Sequence, residues 1–357
     1  MKTSFVSSLS IQTTMRYAVS KAQQDMVAAH KEVTTGRHAD VGVALGATTS
    51  RSLDLTRDVL RIKSMLTTNS LATQRLESSE EALGNMSDLG QDIMNALITL
   101  GDSQDVTNIA TFQTAARTAL DTFISFGNTS VNGEYLFAGV NSDVLPFQDV
   151  TSSTSGARAA LENELTLFLA SQAPPTTKDQ MTETQMDDFL TQMEAIFDGT
   201  QPLDGGADFW STFVSNASDA NMKSRISQSE IVETSTNSNA DGMRNFVLAA
   251  LVSEMFISTD TSDAGRLKAA DKAMEYIGIA KLGIDQERAR LGLAAERVKK
   301  ADESLQAQQN IIETHLNDLQ SVDAYEASTR VKGLEALVET AYTLTARLQQ
   351  LSLVNFL

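Results

Sequence analysis

The chain has 357 residues, 41% hydrophobic and 21% charged, with 46 Asp and Glu against 28 Lys and Arg and a net charge of -18. That acidic balance disfavours nucleic acid and anionic membranes as partners, since affinity for phosphate rests on Lys and Arg. The absence of cysteine removes disulfides, thiolate catalysis and cysteine-ligated zinc, and no 18-residue apolar run or continuous N-terminal apolar stretch predicts a membrane span or a cleaved secretory signal.

From the N-terminus, Ile11, Met15, Ala18, Ala22, Met26, Ala29 and Val33 recur at steps of three and four, the stripe of an amphipathic helix. Gly36 is placed to stop it. The stretch "GVALGATTS" from Gly42 imitates a phosphate loop only loosely, because it has no Lys and no preceding strand; a polar connector is expected there. A second helical run takes Leu55, Val59, Ile62, Leu66, Leu76, Leu83, Met86, Ile93, Leu97 and Leu100 and ends at Gly101, and a third covers Ile109 to Phe126.

All four prolines fall between Pro146 and Pro202, and twelve of the fourteen Phe lie between Phe112 and Phe256. The middle, 141–240, therefore reads as an inserted mixed α/β module. It is expected to hold a helix over Gln180 to Phe197, a hairpin where Met222, Ser224 and Ile226 alternate with polar neighbours, and a core built on Trp210, Phe209 and Phe213. Near the C-terminus, Ala327, Val331, Leu334, Val338, Ala341, Leu344, Leu348 and Leu351 repeat the helical spacing into "LQQLSLVNFL", which is uncharged and adds Leu353 and Phe356. Narrow stripes of this kind suit helix pairing better than one round core. One such helix alone buries too little to offset the entropy of ordering it, so these stripes require a second surface.

No catalytic pattern is present. His30, His38 and His315 lack the spacing of a metal-binding helix, and the adjacent acids Glu80-Glu81 and Asp187-Asp188 point apart on helices and cannot share a proton. No enzymatic role, cofactor or metal is expected. The fold class is mainly α: an elongated discontinuous helical bundle whose terminal helices, 1–40 and 325–357, pair as a coiled coil and form an inner assembly region. A helical rod over 41–140 and 241–324 and the outer module 141–240 complete it.

One stretch is more specific than periodicity: "GNTSVNGEYLFAGVNSDVLPF", Gly127 to Phe147, a helix end, an aromatic-rich extended piece and a turn. Its Asn128, Gly133, Tyr135, Leu136, Phe137, Ala138, Gly139, Pro146 and Phe147 resemble the bacterial flagellin superfamily, and within it the subunits of the hook-filament junction, as does the terminal "LSLVNFL". The resemblance covers about 1–147 and 245–357. The segment "TTGRHADVGVALGATTSRSLDL" stands where the family has a turn but lacks the Pro-Ser-Asp-Asp-Pro-like sequence often found there. The resemblance implies a structural subunit secreted to the flagellum, cytoplasmic before export, that assembles with copies of itself in a ring. Its other implied partners are flagellin, another hook-associated protein on the hook side, and an export chaperone on the C-terminal region. It also implies that the terminal stripes, Ile11 to Val33 and Val331 to Phe356, form the assembly interface. Flagellin itself and a non-flagellar coiled-coil interaction protein are the alternative readings.

Overall fold

The computed structural model describes residues 8–101, 105–152 and 155–354, without the side chains at 8, 9, 11, 12 and 348–354. The fold is mainly α, and among the described residues the sheet is confined to two small antiparallel hairpins. Two compact units form: unit 1 comprises Met1–Ser64 with Ser304–Leu357, and unit 2 comprises Met65–Glu303. No helix of the described residues is long and apolar enough to cross a membrane.

Unit 1 contains α1 (Ser8–Thr35), α2 (Val41–Leu45), the start of α3 (Thr49–Leu100), the end of α8 (Asp263–Gln320) and α9 (Ala324–Val354). Gly36 ends α1 as its residue type suggested: it takes φ +68°, where a side chain would be strained, and its N–H donates to Glu32 O at 2.8 Å. The expected connector at 42–50 is instead helical. Asp40 accepts a hydrogen bond from Val43 N at 3.0 Å and nucleates α2, and a 3-10 turn, Gly46–Thr48, leads into α3. The Asp cap outweighs the poor helix propensity of Gly and Thr in this stretch.

In unit 2, α3 ends at Leu100 and Gly101 turns the chain at φ +48°. Asp105 then caps α4 (Val106–Gly127), accepting from the N–H groups of Thr107 and Asn108, which holds its carboxyl below the ordinary carboxylate range. A tight turn at Asn132 and Gly133, both with positive φ, joins β1 (Ser130–Val131) to β2 (Glu134–Tyr135). After α5 (Gly156–Ser171), which sequence periodicity did not suggest, α6 (Glu183–Asp198) forms close to the expected span and is fixed by a capping box between Thr182 and Gln185. The alternating segment near Met222 does form a hairpin, β3 (Lys223–Arg225) with β4 (Ile231–Glu233). Twelve of the sixteen residues of α7 (Asp241–Phe256) are buried, as a helix apolar all round must be.

The core of unit 2 is aromatic and continuous. Phe123 of α4 stacks on Phe246 of α7 with centroids 3.9 Å apart, Phe147 meets Phe123 edge-on at 5.8 Å, and Trp210 meets Phe147 at 6.3 Å. Trp210 and Phe209 are buried as expected. Where α7 crosses α8, Gly242 and Gly283 approach so closely that a Cβ on either would lie under 3 Å from the other helix's backbone. The hairpin β3–β4 is tied down by Arg290 to Glu233 at 2.7 Å, Arg297 to Glu230 at 2.8 Å, and Asn69 of α3, whose amide donates to Ile226 O at 2.9 Å.

Candidate assembly interface

Within unit 1, α1 and α9 run antiparallel. Gln23 donates to the Tyr342 hydroxyl at 2.9 Å, and His30 Nε2 lies 3.9 Å from Glu335. Of the stripe residues, Ala22, Ala29 and Val331 are buried; Met15, Met26, Leu334, Val338 and Ala341 are half-buried; Ala18, Val33 and Leu344 are exposed. The seam between the two helices uses Val19 and Glu32 where the sequence pattern suggested Ala18 and Val33. The side chains of Ile11, Leu348, Leu351 and Leu353, and the whole of Phe356, lie outside the described residues.

Glu32 is the residue that sequence reasoning missed. It is buried, and its Oε1 accepts from Ala39 N at 3.1 Å while its Oε2 accepts from Arg330 of α9 at 3.0 Å; His38 Nδ1 sits 3.7 Å away. A carboxylate taken out of water is stable only when paired this fully. It therefore fixes the register of α1 on α9 and folds the following loop back. That loop lies beside the α8–α9 turn: His38 N donates to Gln320 O and Val322 N to Gly36 O, each at 3.0 Å. Its only sequence signal is an acid standing in phase with an apolar stripe. The other helix pair of unit 1 is α3 with α8, joined by Gln320 to Ser52 at 2.8 Å and Lys63 to Glu313 at 3.1 Å.

Apolar burial in unit 1 is thin. Among the described residues its buried apolar side chains are Ala22, Ala29, Val59, Ile62, Leu305, Ala327 and Val331, three of them alanine. Exposed are Tyr17, Val27, Val33, Val43, Leu53, Leu60, Ile311, Tyr325, Leu337, Tyr342 and Leu344. Among the described residues, exposed large apolar side chains thus outnumber buried ones of any size, the reverse of the balance in a closed core.

The stretch 127–147 is a structural hub in unit 2. The Asn128 amide accepts from Phe147 N at 2.8 Å and donates to Phe147 O at 3.0 Å, clasping both backbone groups. The Phe147 ring then lies so close to Gly127 that a Cβ there would meet it at 2.3 Å, so no larger residue fits at 127 without movement. Leu136, Phe137 and Ala138 are fully buried. Gly139, at φ +64°, passes within reach of the Ser218 and Ala220 carbonyls, where a Cβ would be 2.4 and 2.6 Å from oxygen. Pro146 O accepts from Asn216 N at 2.9 Å. Arg75 of α3 donates to Glu134 at 2.7 Å and to Tyr135 O at 2.6 Å; burial lowers its guanidinium's affinity for the proton and Glu134 works against that. Apart from the exposed turn at Gly133, the motif thus ties the end of α4 to α3 through Arg75 and to the later loop at Asn216–Ala220. Of the adjacent acids that cannot share a proton, Glu80 pairs with Arg288 at 2.7 Å and Asp187 with Lys268 at 3.1 Å.

Comparison with known proteins follows the same lines. The model of the bacterial flagellin N-terminal helical region matches residues 6–142, and that of the C-terminal helical region matches 274–357. No curated protein matches the chain. Among solved structures, one assigned to a flagellar hook-associated protein of Vibrio parahaemolyticus shares the fold at TM-score 0.51 and 10% identity, over 76% of this chain and 97% of that one. FlgL of Bacillus cereus aligns over the same shares at 11% identity, with a TM-score of only 0.37. With both terminal regions matched, over more than half its length in total, the chain belongs to the bacterial flagellin family.

Proposed function

We propose that this flagellar structural protein is the subunit that joins the hook to the filament, and that it acts by assembly and not by catalysis. The observation that carries the assembly reading is the inverted apolar balance of unit 1, which exposes more large apolar side chains than it buries. Neighbouring copies supply the missing burial, with 1–40 and 325–357 as the inner assembly region, 41–140 and 241–324 as the rod, and 141–240 as the outer module. The stripe residues Ile11 to Val33 and Val331 to Phe356 form the interface. The C-terminal strip, Leu348 to Leu357, is covered by an export chaperone in the cytoplasm before secretion, so that polymerisation waits for export. Flagellin on one side and another hook-associated protein on the other complete the contacts.

The Pro146-Phe147 pair, held by Asn128 directly after the aromatic stretch, supports the junction over the filament, as does the likeness in fold to a hook-associated protein. Deletion of the gene tests this. Hooks without filaments and flagellin shed into the medium are expected, whereas loss of the filament protein itself, or gold labelling along the whole filament, would make the chain flagellin.

A further inference from the structure

Two apolar edges in unit 1 have no cover within the described residues. On α3, Leu53 and Leu60 are 57% and 62% exposed. The helix's other edge, with buried Ser52, Val59 and Ile62, is the one paired with α8. On α9, Leu337 and Leu344 are 50% and 43% exposed, while Ala327, Val331, Leu334 and Val338 form the edge turned to α1. Each pair is spaced by seven residues, which places the two leucines about 10 Å apart on one face.

The charges beside the edges are opposite in balance. Residues 49–63 carry Arg51, Arg57, Arg61 and Lys63 against Asp54 and Asp58; Arg57 pairs with Asp54, Arg61 with Asp58 and Lys63 with Glu313 of α8, which leaves Arg51 to give this stretch its positive balance. Residues 324–344 carry Glu326, Glu335 and Glu339 against Arg330 and Lys332, and Arg330 is already engaged by Glu32 and Glu326.

We propose that the Leu53–Leu60 edge of α3 seats the Leu337–Leu344 edge of α9 from a second copy of this chain. Equal spacing lets the leucines of one helix enter the gaps of the other, and the cationic flank of α3 meets the acidic flank of α9. The contact joins two different surfaces, so it repeats head to tail and generates a ring or a helical array, not a closed pair. It deepens the assembly reading above and rests on it.

The absence of cysteine gives the test a clean background. Chains carrying Leu60→Cys or Leu344→Cys are oxidised separately and as an equal mixture, with sedimentation run on the same samples. The expected result is a disulfide-linked dimer confined to the mixture and taking up to about half of the chains, because only a contact that offers the α3 of one variant to the α9 of the other can close, with each single variant remaining uncrosslinked. Leu53→Cys mixed with Leu337→Cys should repeat it, so that one misfolded variant cannot decide the matter. Crosslinking in the separate samples equal to that in the mixture overturns the pairing in favour of a symmetric contact. Assembled but uncrosslinked mixtures overturn the pairing while leaving the assembly reading intact, and samples that stay monomeric at every concentration remove both.

Discussion

Unit 2 holds Phe123 against Phe246 with centroids 3.9 Å apart, under Phe147 and Trp210, while unit 1 holds its helices together over Ala22, Ala29, Ala327 and Val331 with a buried Glu32 among them. The charges divide as unequally. Unit 1 has 12 Lys and Arg against 11 Asp and Glu, and unit 2 has 16 against 35. Unit 2 is thus built like a free-standing domain, with an acidic shell that disfavours sticking and a core of large side chains. Unit 1 is nearly neutral and lacks such a core, as the proposed assembly would require. Stability thus rests in unit 2, and the proposed function places association in unit 1.

The largest test of that division is in the aromatic core. Phe246→Ala or Phe147→Ala should destabilise unit 2 by about 3–5 kcal/mol, since a large cavity is left among well-packed rings. Calorimetry should show the main transition falling, whereas Leu60→Ala in unit 1 should leave that transition in place. An unmoved transition in Phe246→Ala would break the comparison. Next in size is Asn128→Ala, which strands the N–H and C=O of Phe147 and should cost about 1–3 kcal/mol in the same transition.

Glu32→Gln probes unit 1. With the charge on the carboxylate gone, its bonds to Arg330 and Ala39 weaken, and hydrogen exchange should quicken at Ala39 and in the first turns of α9 while unit 2 stays protected. Faster exchange in unit 2 would mean the units are not energetically separate.

The smallest effect is expected at Asp198, at the end of α6. Burial raises its carboxyl above the ordinary range, Arg244 lowers it, and Asp241 and Glu194 raise it further. Because the folded chain then holds this proton more readily than the unfolded one, the charged carboxylate is a penalty that grows as pH rises through the raised value and is relieved below it. Asp198→Asn should therefore raise the melting temperature slightly at neutral pH, by less than about 0.5 kcal/mol in stability, and flatten that part of the pH profile. A lower melting temperature at neutral pH would contradict the sign.

The stripes and stops of the long helices were legible because periodicity and Gly36 or Gly101 act within one or two turns. The hairpin at Lys223–Glu233 and the α6 span were legible for the same local reason. Helix α5 was not, since its buried positions Ala157, Leu161, Glu164 and Leu165 do not form a clean apolar stripe, Glu164 being held inside by the N–H of Asp204. The connector at 42–50 misled because an Asp cap can turn a weak sequence into a helix.

By itself the sequence determined that the chain is a set of amphipathic rods with apolar termini around an aromatic-rich middle, and the quoted stretch from Gly127 to Phe147 marked the family. Hydrophobic spacing and turn residues encode such features within a few residues of each other. Only the tertiary structure decided which edge of each rod is spent inside the chain. Whether Ala18 or Val19 faces α9, that Glu32 lies among alanines because Arg330 reaches it, and that Asn128 clasps Phe147 are all settled by pairings across tens or hundreds of residues. A stripe fixes a helix's face only to within the width of that face, and the partner's shape and charge choose the line along it.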